Sequence, residues 1–117
     1  MTDSGLPPDD EMDAFVSRYL VSFAAWDLLV LLHAQPDLCD SPERLAYRLG
    51  RPERELRDAV SPMLDGGLLE TRRGADGENY CVAADVRARR LLNRFVELSE
   101  QREWRLEMVR RVLNRLA

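Results

Sequence analysis

From Ser41 to Leu69 the chain writes a short capped helix, a two-residue turn, a second helix and a glycine-led exit, an order that few folds accommodate. Ser41-Pro42-Glu43 places an N-cap hydroxyl, a proline at the first helical position and an acid near the positive end of the helix. Leu45, Ala46 and Leu49 make a short apolar stripe, and Gly50 supplies the C-terminal stop. Pro52-Glu53 opens the next helix, with Leu56, Ala59, Val60, Met63 and Leu64 facing inward and Gly66-Gly67 ending it. Pro62 removes an amide donor inside that helix, at about 3 kcal/mol in a regular interior, so a kink or an early end is expected there.

The flanks complete a consistent order. Leu68–Arg72 and Asn79–Val82, joined through Gly74-Ala75-Asp76-Gly77, read as a β-hairpin. Upstream, residues 1–9 with Gly5, Pro7 and Pro8 read as a disordered acidic leader. A helical pattern starts near Asp10 and carries Phe15, Tyr19, Phe23 and Trp26 at spacings of three or four, continued by Leu29, Val30 and His33. The spacing allows one long helix or two meeting near Ser22, and the run ends at Gln35-Pro36-Asp37. From Asp85, an N-cap candidate, a helical pattern without glycine or proline runs to Ala117.

The expected architecture is therefore mainly α with a small β-hairpin (α+β), a helix-turn-helix followed by its wing. Residues 10–84 form the winged domain, with the helix-turn-helix at about 41–65 and the wing at about 68–82. Residues 85–117 form one C-terminal helix.

Composition narrows the function classes. A chain of 117 residues fits one domain able to bury a core. It has no run of about 18 apolar residues and no secretory start, so a cytoplasmic location is expected. The net charge is −4, which argues against indiscriminate coating of nucleic acid. Residues 1–13 carry five acids and no base, whereas residues 14–117 balance 16 acids against 17 arginines; lysine is absent. Cys39 and Cys81 lie far apart without CxxC or histidine spacing, so two small buried thiols are expected, with one disulfide as the alternative. His33 sits among leucines and reads as a packed core residue. No phosphate loop, metal-ligand cluster or nucleophile–histidine pair is present, so neither an enzyme nor a cofactor or metal is expected.

The stretch "SPERLAYRLGRPERELRDAVSPMLDGGLLETRRGADGENYCV", with "LA..LG" in the first motif helix and "GLL" leading into the hairpin, resembles winged helix-turn-helix transcriptional regulators of the MarR and ArsR type. More specifically, it looks like small bacterial proteins with an aromatic first helix, this motif and a long arginine-rich final helix. The layout extends over about residues 15–115, and about 40 of them carry the motif. The resemblance implies double-stranded DNA as partner, bound by a homodimer with the second motif helix in the major groove and the wing on the backbone. By position, Arg54 and Arg57 would reach guanine edges and Ser61 a phosphate or base. Arg72 and Arg73 would sit on wing phosphates, and Arg44 and Arg48 would add backbone contacts. Glu53, Glu55 and Asp58 place three carboxylates in the same helix, where the alternative is a solvated face with internal pairs such as Glu53–Arg57. That alternative fits a winged helix that binds another protein.

The final helix carries a heptad-like seam of Ala88, Leu91, Phe95, Leu98, Val109, Val112 and Leu116, broken by Arg102 and Arg105. Leu92, Val96, Leu106 and Leu113 line a neighbouring face. With Phe15, Tyr19 and Trp104, the seam is expected to form a dimer interface; the alternative is a helix folded back on its own domain. Arg87, Arg89, Arg90 and Arg94 make the most basic stretch, suited to phosphate beside the wing or to a solvated flank.

Overall fold

We describe the protein from a computed structural model, which defines residues 9–75 and 77–117. The expected leader lies outside them except for Asp9, the first residue of α1. The elements are α1 Asp9–Tyr19, α2 Phe23–Ala34, β1 Cys39–Asp40, α3 Pro42–Leu49, α4 Glu53–Asp65, β2 Leu69–Gly74, β3 Gly77–Val82, α5 Val86–Ser99 and α6 Arg102–Leu116.

The aromatic segment is two helices. Ser22 caps α2 by accepting from the Ala25 amide at 3.0 Å, and the chain bends by 117° between α1 and α2. No single helix among the described residues is long and apolar enough to cross a membrane.

The helix-turn-helix forms where its caps place it. Ser41 Oγ accepts from the Arg44 amide at 3.2 Å, and Gly50 ends α3 in the left-handed region at φ 65°. Arg51, in the turn, reaches Asp27 of α2 at 2.9 Å and Glu55 of α4 at 3.3 Å, tying the turn to both helices. Pro62 does not stop α4, which continues to Asp65. Its missing donor falls in the last turn, and its carbonyl still accepts from Gly66 at 2.9 Å. Gly66 is needed for space as well, because a Cβ there would collide with the Tyr19 ring of α1.

The expected hairpin pairs from Leu69↔Val82 to Gly74↔Gly77, and β1 adds an unexpected third strand in the antiparallel order β1-β3-β2. That strand corrects the thiol reading. Cys39 stands directly opposite Cys81, their Cα atoms 4.4 Å apart, and the two form a disulfide.

The C-terminal segment also departs from expectation, because it is a helical hairpin and not one helix. Ser99 Oγ donates back to the Phe95 carbonyl at 2.8 Å, and Arg105 caps the end of α5 by donating to the Ser99 carbonyl at 3.0 Å. The turn lets α6 return along α1, with Arg111 3.4 Å from Asp13 and Arg115 donating to the Ser17 carbonyl. Phe95 is fully buried, with Phe15, Trp26 and Trp104 ringed around it at centroid distances of 5.6, 6.0 and 5.5 Å. The core therefore joins α1, α2, α5 and α6 to the inward faces of α3 and α4.

Candidate nucleic-acid interface

Burial of Leu56, Ala59, Val60 and Met63 fixes the rotation of α4. Arg54, Arg57, Asp58 and Ser61 then share its exposed stripe at spacings of three and four. On α3, burial of Leu45 and Ala46 leaves Arg44, Tyr47 and Arg48 outward. Arg72 and Arg73 are exposed on β2 of the wing. The structure thus leaves every expected contact residue accessible.

Their charges are not equally available. Arg57 lies 2.6 Å from Glu53 and 3.6 Å from Glu43, and the hydrogen bond to Glu53 is the main cause of a guanidinium pKa raised above its ordinary value. Arg48 is 3.3 Å and Arg44 3.9 Å from the largely buried carboxylate of Asp40. Arg72 pairs with Glu70 at 3.1 Å. Arg54 and Arg73 have no acidic partner within 4.0 Å among the described residues.

The acids of α4 sort themselves in the same way. Glu53 turns to Arg57 and Glu55 turns back to Arg51, leaving Asp58 as the one carboxylate on the outward stripe without a paired cation among the described residues. The apparent clash of three acids with a polyanion reduces to one. Tyr47, which no sequence pattern singled out, is 88% exposed, and it is the one exposed member of the chain's eight aromatic residues.

The basic stretch of α5 is divided. Arg87 pairs with Glu11 of α1, and Arg89 donates to the Ala83 carbonyl at 2.9 Å, holding the wing exit. Arg90 and Arg94 line a shallow cleft with Val86, Asn93 and Glu97, and a buried Arg94 Nε lacks a partner among the described residues. His33, expected as a packed core residue, is half-buried and bonded through Nδ1 to Asn93 at 2.9 Å.

The expected dimer seam needs correction. Phe15, Tyr19, Phe95 and Val112 are at most 5% exposed, so they are packed within one protomer and not presented at its surface. Leu91, Leu98, Trp104 and Val109 are half-buried, and Leu116 is exposed. The fold-back of α6 turns the neighbouring face outward instead: Leu106, Leu113 and Leu116 are 55%, 53% and 62% exposed. Val109 lies between them in sequence and lines a groove of about 640 Å³ with Phe23, Trp26, Val30, Leu31 and Ala34.

No protein-family model matches this chain, and no curated protein matches it. Solved structures do. The homodimeric winged helix-turn-helix DNA-binding domain Mb0332 from Mycobacterium bovis, a possible ArsR-family transcriptional regulator, aligns with TM-score 0.59 and 20% identity over 84% of this chain and 91% of that one. HlyU from Vibrio cholerae aligns with TM-score 0.60 and 16% identity over 82% and 100%. The AntR antimony-specific transcriptional repressor aligns with TM-score 0.58 and 20% identity over 87% and 89%. The fold of this chain is the winged helix-turn-helix, as its sequence resemblance led us to expect.

Proposed function

We propose that the protein is a DNA-binding transcriptional regulator that acts as a homodimer, with α4 in the major groove and the β2–β3 wing on the backbone. The observation that carries this reading is Arg54: an exposed arginine, unpaired among the described residues, on the outward stripe of the second motif helix. Bidentate contact to guanine O6 and N7 is the commonest specific contact in that groove. Arg73 supplies a second available cation on the wing, and the winged neighbours are named as transcriptional regulators or DNA-binding domains. Binding, and not catalysis, is the activity proposed.

The partner protomer is assigned to α6. Leu106, Val109, Leu113 and Leu116 repeat at alternating spacings of three and four, the pattern of a helix seam. The stripe continues through Val109 into the apolar groove of α2, so a second copy has both a ridge and a recess to cover.

A second reading, a winged helix that binds another protein, draws on the ion pairs that occupy Arg44, Arg48, Arg57 and Arg72. Selection from a pool of random duplexes separates the two. The DNA reading expects enrichment of a two-fold symmetric site with half-sites about 10 bp apart or a multiple of that. A pool that stays unenriched contradicts it.

A further inference from the structure

We infer that Tyr47 is a phosphate-contact residue, its phenolic hydroxyl donating to the DNA backbone from the outward face of α3; this rests on the DNA-binding reading above. Seven of the eight aromatic side chains are buried or half-buried, many of them in the cluster around Phe95. Tyr47 alone is turned to solvent, at 88% exposure, and packing within the protomer does not account for it. Its phenol makes no hydrogen bond to any described residue.

Its neighbours indicate the ligand chemistry. Arg44, three residues before, lies on the same face of α3, and Arg48, one residue after, is turned about 100° from it. Arg48 lies 3.3 Å and Arg44 3.9 Å from Asp40, so the exposed Tyr47 stands on a helix that also carries two outward cations. In a helix-turn-helix the first helix crosses the backbone while the second enters the groove. Tyrosine hydroxyls are among the regular donors to phosphate oxygens. An exposed phenol on the same helix as two outward arginines therefore fits a sugar–phosphate strand.

A neutral donor leaves a signature that an arginine does not. Salt dependence counts the cations that displace condensed counterions. Removing the hydroxyl should weaken binding by the same factor at every salt concentration and on every sequence. The test is a fluorescence-anisotropy titration of wild type, Tyr47→Phe, Arg44→Ala and Arg54→Ala against a selected and a random labelled duplex, from ~50 to ~200 mM salt. Tyr47→Phe is expected to lose roughly threefold to tenfold in affinity, equally on both duplexes, with the salt slope and melting temperature of wild type. Arg44→Ala should flatten the slope.

Tyr47→Phe binding like wild type, or losing affinity on one duplex only, overturns the assignment while leaving the DNA reading intact. Wild type that binds neither duplex overturns both. Tyr47 would in that case belong to a protein-docking face.

Discussion

Arg57 and Glu53 lie one turn apart on the outward side of α4, and their side chains meet at 2.6 Å. The pair neutralises the cation best placed, after Arg54, to read a base. Glu53→Gln combined with Glu43→Gln, which removes the second acid 3.6 Å from Arg57, should free Arg57 and raise DNA affinity by roughly threefold to tenfold at ~50 mM salt, with a steeper slope of log K against log salt. An anisotropy titration measures both quantities. Unchanged affinity would mean that Arg57 does not meet DNA.

Leu113→Glu should separate the protomers. It introduces a charge into the centre of the α6 stripe, at a position 53% exposed in the single chain, so the fold itself should survive. Light scattering on a sizing column should fall from twice 13.5 kDa to 13.5 kDa, with the circular dichroism spectrum unchanged. A wild-type monomer at high micromolar concentration would contradict the dimer proposal outright.

The Cys39–Cys81 disulfide spans a sequence separation of 42 residues and staples the entry of α3 to the wing. Reduction should lower stability by about 2–4 kcal/mol through the restored freedom of the unfolded chain. Urea unfolding with and without a thiol reductant measures it, with Cys39→Ser as the control that should ignore reductant. Equal midpoints for oxidised and reduced protein would contradict the effect.

Among the described residues, Glu107 carries the one carboxyl whose pKa is clearly displaced, lowered mainly by its hydrogen bond with Arg110 and further by the charges of Arg110 and Arg111. A depressed folded-state pKa contributes stability above the unfolded value and loses it as pH falls through the folded value. The Glu107 side-chain carboxyl should therefore titrate by NMR below the ordinary value of about 4.3. Arg110→Ala should move it upward; an identical titration in both proteins would contradict the pairing.

Much of this fold is legible in the sequence because its signals are local. Ser41, Gly50 and the turn around Gly77 each act within a few residues, and the Glu53–Arg57 pair follows from helical spacing alone. The failures share a different cause. Strand β1 has two residues, too few for any periodicity, and exists because β3 lies beside it. The break between α5 and α6 has no glycine or proline; it depends on Arg105 capping Ser99 and on Trp104 closing over Phe95. Reading it as one helix put Phe95 and Val112 on a dimer seam, when fold-back buries them and exposes Leu106 and Leu113. The availability of each arginine was equally hidden, since Asp40 reaches Arg48 only after β1 and α3 have formed.

In the function proposed above, Arg54 on α4 reads a base in the major groove. The most direct test compares wild type and Arg54→Ala on a selected duplex and on a random one at ~50 mM salt, where phosphate contacts are strongest. Wild type should prefer the selected duplex, and Arg54→Ala should lose roughly 5-fold to 150-fold of that preference while retaining its random-duplex affinity to within a few-fold. No binding by wild type at this salt, or an undiminished preference in Arg54→Ala, would rule out base reading by Arg54.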